Sequence, residues 1–325
     1  MNETVNSTSS PSSSPVRSGR GNPRPLRSEN PHYGEKVIFA FLFITAAVSV
    51  LTTTAIVIAL FQPLPRLFGE ISIVEFFTET EWSPGFVDAK YGVAPVVVGT
   101  LIVVFIALLV AIPLGLLSAI YLSEYAPNRV RKAIKPLLEV LEGIPTVATG
   151  LFAFFWLKPA LVAITPWLPW GGAFSTGVAG IAVGLIIIPL IASVSDDAMR
   201  SVPRSLREGA YALGASKMRV ALKVVVPAAI SGIIASFVLG ASRAVGETMI
   251  VLLVAGAGSP GLNFNIFEGI QTMTAYIASR ATGEIAVGSI VYDTIFAVGS
   301  LLFLITLIMN MIAIRFVARF REVYE

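Results

Sequence analysis

Two opposite charges lie inside a long apolar stretch of the sequence. Arg243 and Glu247 are the charged residues of the run from Val224 to Ala255. A charge at the centre of a membrane helix costs about 2.5–3.5 kcal/mol on insertion scales, so it commonly marks a functional site. The planar guanidinium of arginine matches the oxygens of oxyanions such as phosphate, and residues four apart share one helix face. We predict that Arg243 and Glu247 line a water-filled pathway, with Glu247 holding Arg243 in position; the alternative is a structural ion pair.

A polar segment in front of this stretch is a candidate docking surface. Glu208, Gly209, Ala210 and Gly214 belong to a basic loop, residues 195–223, that leads into the apolar run. The small side chains among them would let a second protein approach closely, and Gly214 is expected to break the helix into two. We predict that a partner docks here; the alternative is an ordinary basic loop of a membrane protein.

The sequence lacks the residues that most catalytic and metal sites require. It has no cysteine, and its one histidine is His32, which excludes thiolate sites, a Ser-His-Asp triad and the HExxH zinc motif within this chain. The ATP-binding pattern G-x-x-x-x-G-K-[ST] is absent, so ATP hydrolysis would belong to another polypeptide. Gly256, Gly258 and Gly261 follow an apolar run instead of a strand, which favours a turn over a dinucleotide site. We predict no catalytic residue, metal, cofactor or nucleic-acid partner.

Composition and apolar runs predict a polytopic membrane protein. Of the 325 residues, 55% are hydrophobic and 13% are charged, whereas soluble domains carry about 25% charged residues. A helix of about 20 apolar residues crosses a bilayer. Six runs have this length: 37–61, 91–123, 137–157, 174–194, 228–255 and 290–314. The predicted fold class is therefore all-α, with six transmembrane helices.

The placement of lysine and arginine predicts the orientation of these helices. Basic residues are concentrated in the N-terminal tail, in residues 124–136, in residues 195–223 and after residue 314, whereas the alternating loops hold few. Basic loops are retained in the cytoplasm. Both termini are therefore predicted to be cytoplasmic (N-in, C-in).

Several motifs resemble those of a known transporter family. Glu208 to Gly214, followed by Val224-Val225-Val226-Pro227, resembles the signature of ABC importer permeases, which reads E-A-A, three residues, G, nine residues, I-x-L-P. Thr80-Glu81-Trp82, Gly143-Ile144-Pro145-Thr146 and the run from Arg243 to Met249 resemble PstC permease subunits of bacterial phosphate ABC importers. The chain departs from these patterns at Gly209, Val224, Val226, Glu142, Ser242 and Ile250.

The resemblance implies the permease fold of type I ABC importers, in a subunit that is not itself an enzyme. With a second, PstA-like permease subunit it would form the pathway for inorganic phosphate across the cytoplasmic (inner) membrane. An ATP-binding, PstB-like subunit would dock at Glu208, Gly209, Ala210 and Gly214, and a PstS-like external protein would deliver phosphate. The alternatives are an ABC permease for phosphonate, sulfate or molybdate, a secondary transporter working alone, and a membrane scaffold or polytopic enzyme.

The predicted organisation follows from composition and from this resemblance. Residues 1–36 are rich in serine and proline and are expected to be disordered. The predicted parts are a cytoplasmic tail (1–36), a first transmembrane helix (37–61), an acidic external loop (62–91), a permease core (92–316) with a cytoplasmic coupling loop (195–227), and a cytoplasmic C-terminus (317–325).

The predicted orientation is testable with reporter fusions. A reporter attached after Arg321 should report a cytoplasmic position, because basic residues hold the segments that carry them inside. A reporter inserted near Glu79 should report an external position, because that loop holds few basic residues. The measurement is the activity of paired reporters that work on only one side of the membrane. The opposite result at either position would contradict the six-helix topology.

Overall fold

The computed structural model describes residues 33–258 and 260–320. The predicted tail lies outside this part up to residue 32, and so does the predicted C-terminus from residue 321. By their contacts, the described residues up to Ala55 form one unit and the described residues from Ile56 onward form another. The packing described below lies within the second unit. Helices joined by short connections make up most of the described chain, which confirms the all-α fold class.

The helices are numbered in chain order. The N-terminal half contains α1 (Tyr33–Phe61), α2 (Leu64–Glu70), α3 (Ile73–Thr78), α4 (Ala94–Ile120), α5 (Asn128–Glu142), α6 (Thr146–Phe152) and α7 (Lys158–Ile164). The C-terminal half contains α8 (Thr176–Ser201), α9 (Arg204–Ala212), α10 (Lys217–Val220), α11 (Val226–Ala228), α12 (Ile230–Gly246), α13 (Met249–Val254), α14 (Met273–Ala281) and α15 (Ile290–Phe320). Short π-helical turns continue three of them, at Tyr121–Tyr125, Ala153–Leu157 and Ala221–Val225.

Within the described chain, five helical stretches are long and apolar enough to cross a membrane. They are Lys36–Glu70, Ala94–Tyr125, Thr146–Ile164, Thr176–Ser201 and Ile290–Arg315. A sixth crossing results if Lys217–Ala228 and Ile230–Gly246, which are bent by 72° at their junction, form one broken span. The predicted number of six therefore depends on this bent pair.

The third predicted span, residues 137–157, begins at the wrong residue. Residues 128–142 instead form α5, a separate amphipathic helix with no buried residue, and the apolar stretch of membrane length is Thr146–Ile164. Pro145 explains the break, because proline has no N–H for a helical hydrogen bond and disfavours a helical conformation in the residue before it. The basic residues of the predicted loop 124–136 and the two glutamates at the start of the predicted span 137–157 thus lie on one helix.

The fifth predicted span, residues 228–255, is not one continuous helix. It breaks at Ala229, where the chain bends, and again at Glu247, whose backbone is extended (φ −67°, ψ 127°). The apolar run thus contains the end of α11, all of α12 and the short helix α13. Irregular backbone at membrane depth is tolerated only where protein surrounds it or where it lines a water-filled cavity. The break at Glu247 is therefore a candidate part of a pathway.

Glycines let α4 and α8 approach closely at the centre of the fold. A Cβ atom added at Gly180 would lie 2.7 Å from the Cβ atom of Ile106, and one added at Gly184 would lie 2.8 Å from the backbone oxygen of Ala107. Membrane helices associate largely through such close packing of small residues. The buried apolar core forms around this contact.

A row of small residues packs α12 against α8. Gly232, Ser236, Gly240 and Ala244 recur every four residues along α12. The Ser236 hydroxyl is hydrogen-bonded to that of Ser195 on α8, with 2.8 Å between the two oxygens. This contact sets the rotation of α12, and with it the side on which Arg243 leaves the helix.

The close contact of α4 and α8 predicts a large cost for added volume. Gly184→Val should lower the free energy of unfolding by about 1–3 kcal/mol, because the new side chain would collide with the backbone at Ala107. Gly69→Val is the matched control, since a Cβ atom at Gly69 meets nothing within 4 Å. Thermal unfolding of the purified protein in detergent is the measurement. Equal midpoints for the two variants would contradict the packing described.

Candidate functional site

Arg243 and Glu247 do not form the predicted pair. Helix α12 ends at Gly246, so the two residues do not share one helix face. Glu247 is buried, and its Oε1 accepts hydrogen bonds from the backbone N–H groups of Thr248, Met249 and Ile250, at 3.1, 3.1 and 3.2 Å. Thr248 directly precedes α13, and Met249 and Ile250 carry its first N–H groups, which have no acceptor within the helix. Glu247 therefore fixes the helix break and does not hold Arg243.

Arg243 instead contacts Glu142 at the end of α5. Its Nη1 donates to the Oε1 of Glu142 at 2.8 Å, and its Nη2 donates to the backbone oxygen of the same residue at 3.1 Å. The two side chains are 29% and 34% exposed. Both terminal nitrogens of the guanidinium thus donate to one residue, at a place that the rest of the chain does not enclose.

The ion pair lies where two broken helices meet. Glu142 precedes the break between α5 and α6, and Arg243 precedes the break between α12 and α13. Beyond the breaks, α6 packs on α13: a Cβ atom added at Gly150 would lie 3.2 Å from the Cα atom of Ile250. Discontinuous helices of this kind line substrate sites in many transporters. The arrangement brings an arginine and a carboxylate to a joint between two broken helices.

Three ion pairs attach α5 to α8, and they are made by Arg131 with Asp196 and by Lys135 with both Asp196 and Asp197. The Nη2 of Arg131 lies 2.7 Å from the Oδ2 of Asp196, whose side chain is 1% exposed. Lys135, one turn further along α5, contacts Asp197. A charge as buried as Asp196 is stable only with a partner, because removing the partner would leave it uncompensated. These contacts hold the body of α5 while its last residue, Glu142, reaches Arg243.

The predicted docking residues lie on an open face of α9 and the turn after it. Glu208, Gly209 and Gly214 are exposed and Ala210 is half-buried, and a Cβ atom added at either glycine meets nothing within 4 Å. Gly214 has a φ of +78°, which favours glycine, and separates α9 from α10. The predicted helix break at Gly214 is confirmed. Leu213, beside it, is 90% exposed, so the face presents an apolar side chain together with small ones.

Arg207 connects this face to the membrane helices. Its guanidinium donates to the backbone oxygens of Met199 and Val202, at 2.7 and 2.9 Å, and to the Oε1 of Glu124 at 3.2 Å. Met199 lies in the last turns of α8, whose C-terminal carbonyls lack partners within the helix. Arg207 thus joins α9 directly to the end of α8, and α8 contacts both α4 and α12.

Sequence reasoning missed Glu142 as a site residue. Its partner is 101 residues away in the chain, so no local spacing indicated the contact. The available signal was the position of this acidic residue, which directly precedes Gly143-Ile144-Pro145. It is also one of the positions at which the chain departs from the family pattern. Among the described residues there is also no group of His, Asp or Glu that could hold a metal ion.

Comparisons with known proteins relate the chain to transport proteins. A family model described as "Binding-protein-dependent transport system inner membrane component" matches residues 111–322. The probable ABC transporter permease protein YqgH of Bacillus subtilis is 34% identical, with 87% of this chain and 91% of that protein covered. The phosphate transport system permease protein PstC of Haemophilus influenzae is 32% identical, with 83% and 86% covered.

A solved structure shares the fold. It is that of a bacterial alginate ABC transporter in complex with alginate pentasaccharide-bound periplasmic protein. One of its chains matches with a TM-score of 0.61 at 16% identity, over 86% of this chain and 93% of that chain. At this identity the likeness concerns the fold alone.

Proposed function

Because the chain belongs to the family of binding-protein-dependent transport system inner membrane components, we propose that it forms the pathway for inorganic phosphate in an ATP-driven importer. It is a multi-pass protein of the inner membrane and a permease subunit, not an enzyme. The observation that carries the proposal is Arg243, a half-buried guanidinium at the meeting point of two broken helices. Relatives named as phosphate transport permeases support phosphate as the anion.

The chemistry of Arg243 suits a transported oxyanion. Its planar fork binds a tetrahedral anion through two parallel hydrogen bonds, and its exposure lets a ligand reach it. Glu247 supports the site indirectly, since its cap on α13 keeps the chain extended directly after α12. Arg243 would contact phosphate, and Glu247 would hold the break that exposes Arg243.

As an ABC permease, the chain works with transporter subunits, and we infer which ones. A PstB-like ATP-binding subunit would dock on Glu208, Gly209, Ala210 and Gly214, whose open face fits a close contact. Arg207 would carry the motion of that subunit to α8. A PstA-like permease would complete the pathway, and a PstS-like protein would supply phosphate from outside. Both termini would lie in the cytoplasm, which places α9 on the side of the ATPase.

Gly214 tests the docking surface. Gly214→Leu should leave membrane insertion intact but uncouple ATP hydrolysis from phosphate uptake, because the side chain would strain the positive φ and protrude from the docking face. Gly172→Leu is the matched control: Gly172 also has a positive φ (+36°) and open space, but lies in the connection before α8. Uptake and ATP hydrolysis by the reconstituted transporter are the measurements. Normal coupling in Gly214→Leu would rule out docking at this turn.

Arg243 tests the anion site. Arg243→Lys keeps the charge but loses the bidentate fork, so phosphate uptake per assembled complex should fall about tenfold to a hundredfold, as expected for one charge-assisted hydrogen bond. Arg129→Lys serves as the control, because Arg129 is exposed at the start of α5. Uptake is measured in vesicles beside the amount of assembled complex. Wild-type uptake by assembled Arg243→Lys would contradict the proposed function.

A further inference from the structure

We propose that Glu142 is a tethered anion that occupies the phosphate-binding face of Arg243 while the pathway is empty, so that phosphate enters by displacing it. The inference rests on the proposed function and adds a residue that sets how tightly the anion is held. Its basis is the contact between Arg243 and Glu142, in which both terminal guanidinium nitrogens donate to one residue.

The geometry of this contact imitates a bound oxyanion. A carboxylate oxygen at 2.8 Å and a backbone oxygen at 3.1 Å take the two positions that two phosphate oxygens would take in a bidentate complex. Phosphate cannot approach across both terminal nitrogens until Glu142 withdraws. The backbone oxygen is available because it lies in the last turn of α5, where carbonyls have no helical partner.

Exposure distinguishes this pair from the other arginine–carboxylate pairs of the described residues. The carboxylates that pair with Arg66, Arg131 and Arg207 are only 5%, 1% and 6% exposed. Glu142 is 34% exposed. A buried carboxylate that loses its arginine is left uncompensated, whereas water can solvate Glu142 when it moves away. Among the arginine–carboxylate pairs of the described residues, this one therefore combines a contact of 2.8 Å with a carboxylate that is not buried.

The position of Glu142 permits such movement without unfolding α5. It is the last residue of the helix and is followed by Gly143, and a Cβ atom at Gly143 meets only backbone oxygens of its own helix, at 3.4 Å or more. Arg131 and Lys135 anchor the body of α5 on α8. A rotation at the helix end can therefore release Arg243 while the rest of α5 stays in place.

A tethered competitor weakens the binding of phosphate and favours its release. Because Glu142 is attached to the same chain, its effective concentration at Arg243 reaches the millimolar range or above. The observed affinity for phosphate is the intrinsic affinity multiplied by the fraction of time for which Arg243 is free. After transport, the returning carboxylate helps to expel phosphate and leaves no unpaired arginine in the pathway.

The test uses Glu142→Gln in the complete, assembled transporter. Binding of radiolabelled phosphate to the detergent-solubilised complex should become at least about tenfold tighter, the worth of one charge-assisted hydrogen bond. The maximal rate of uptake in proteoliposomes should fall, because release slows. Glu139→Gln, an exposed glutamate one turn earlier on α5, should change neither quantity. Glu142→Asp, which keeps the carboxylate, should bind phosphate nearly as weakly as the wild type.

Opposite changes in affinity and rate would not arise from a merely structural ion pair. Unchanged or weaker anion binding by assembled Glu142→Gln would overturn the inference. So would loss of assembly in Glu142→Gln when Glu139→Gln assembles, since the pair would then be structural. Adding Arg243→Lys to Glu142→Gln should abolish the gain, because the two residues act on one site.

Measuring sulfate binding beside phosphate binding, in the wild type and in Glu142→Gln, separates this inference from the proposed function. If Glu142→Gln binds sulfate more tightly and neither protein binds phosphate, the tethered anion stands and phosphate as the substrate is contradicted. If phosphate uptake depends on Arg243 but Glu142→Gln binds no anion more tightly, the proposed function stands and the tethered anion fails.

Discussion

Arg243 makes its contacts at the helix joint with a single anionic partner, which accepts hydrogen bonds from both terminal guanidinium nitrogens. In the chain as it stands, Glu142 supplies that partner, and Glu247 satisfies the first N–H groups of α13 close by. Both terminal nitrogens of Arg243 and the N–H groups at the start of α13 therefore already donate to oxygens of the protein. Transport in this account is an exchange of anions at Arg243, not the filling of an empty site.

The rest of the fold serves to bring these groups together. The glycine contacts of α4 with α8 and the small residues of α12 set the spacing and rotation of the central helices. The buried Asp196 ties α5 to α8 through Arg131. Arg207 links the exposed coupling face to the end of α8. A displacement of α8 at its C-terminal end would therefore reach the helices that carry both members of the ion pair.

The sequence was informative where the signal is local. Uninterrupted apolar runs predicted the long helices, the charge of Arg243 marked the joint, and Gly214 marked a helix break. The rule of residues four apart failed at Glu247, because it assumes a continuous helix and no proline follows Gly246 to indicate the break. Glu142 was missed because its contact with Arg243 is made by tertiary packing across 101 residues. The start of the third span was misplaced because apolar residues on one face of α5 resemble a membrane segment.

The central claim is that phosphate and Glu142 compete for the same face of Arg243. The most direct measurement is an electron cryomicroscopy structure of the assembled transporter with phosphate trapped in the pathway. The account predicts phosphate oxygens within hydrogen-bonding distance of the Arg243 guanidinium and the Glu142 carboxylate turned away from it. Phosphate bound elsewhere in the pathway, with the contact between Arg243 and Glu142 intact, would contradict the account.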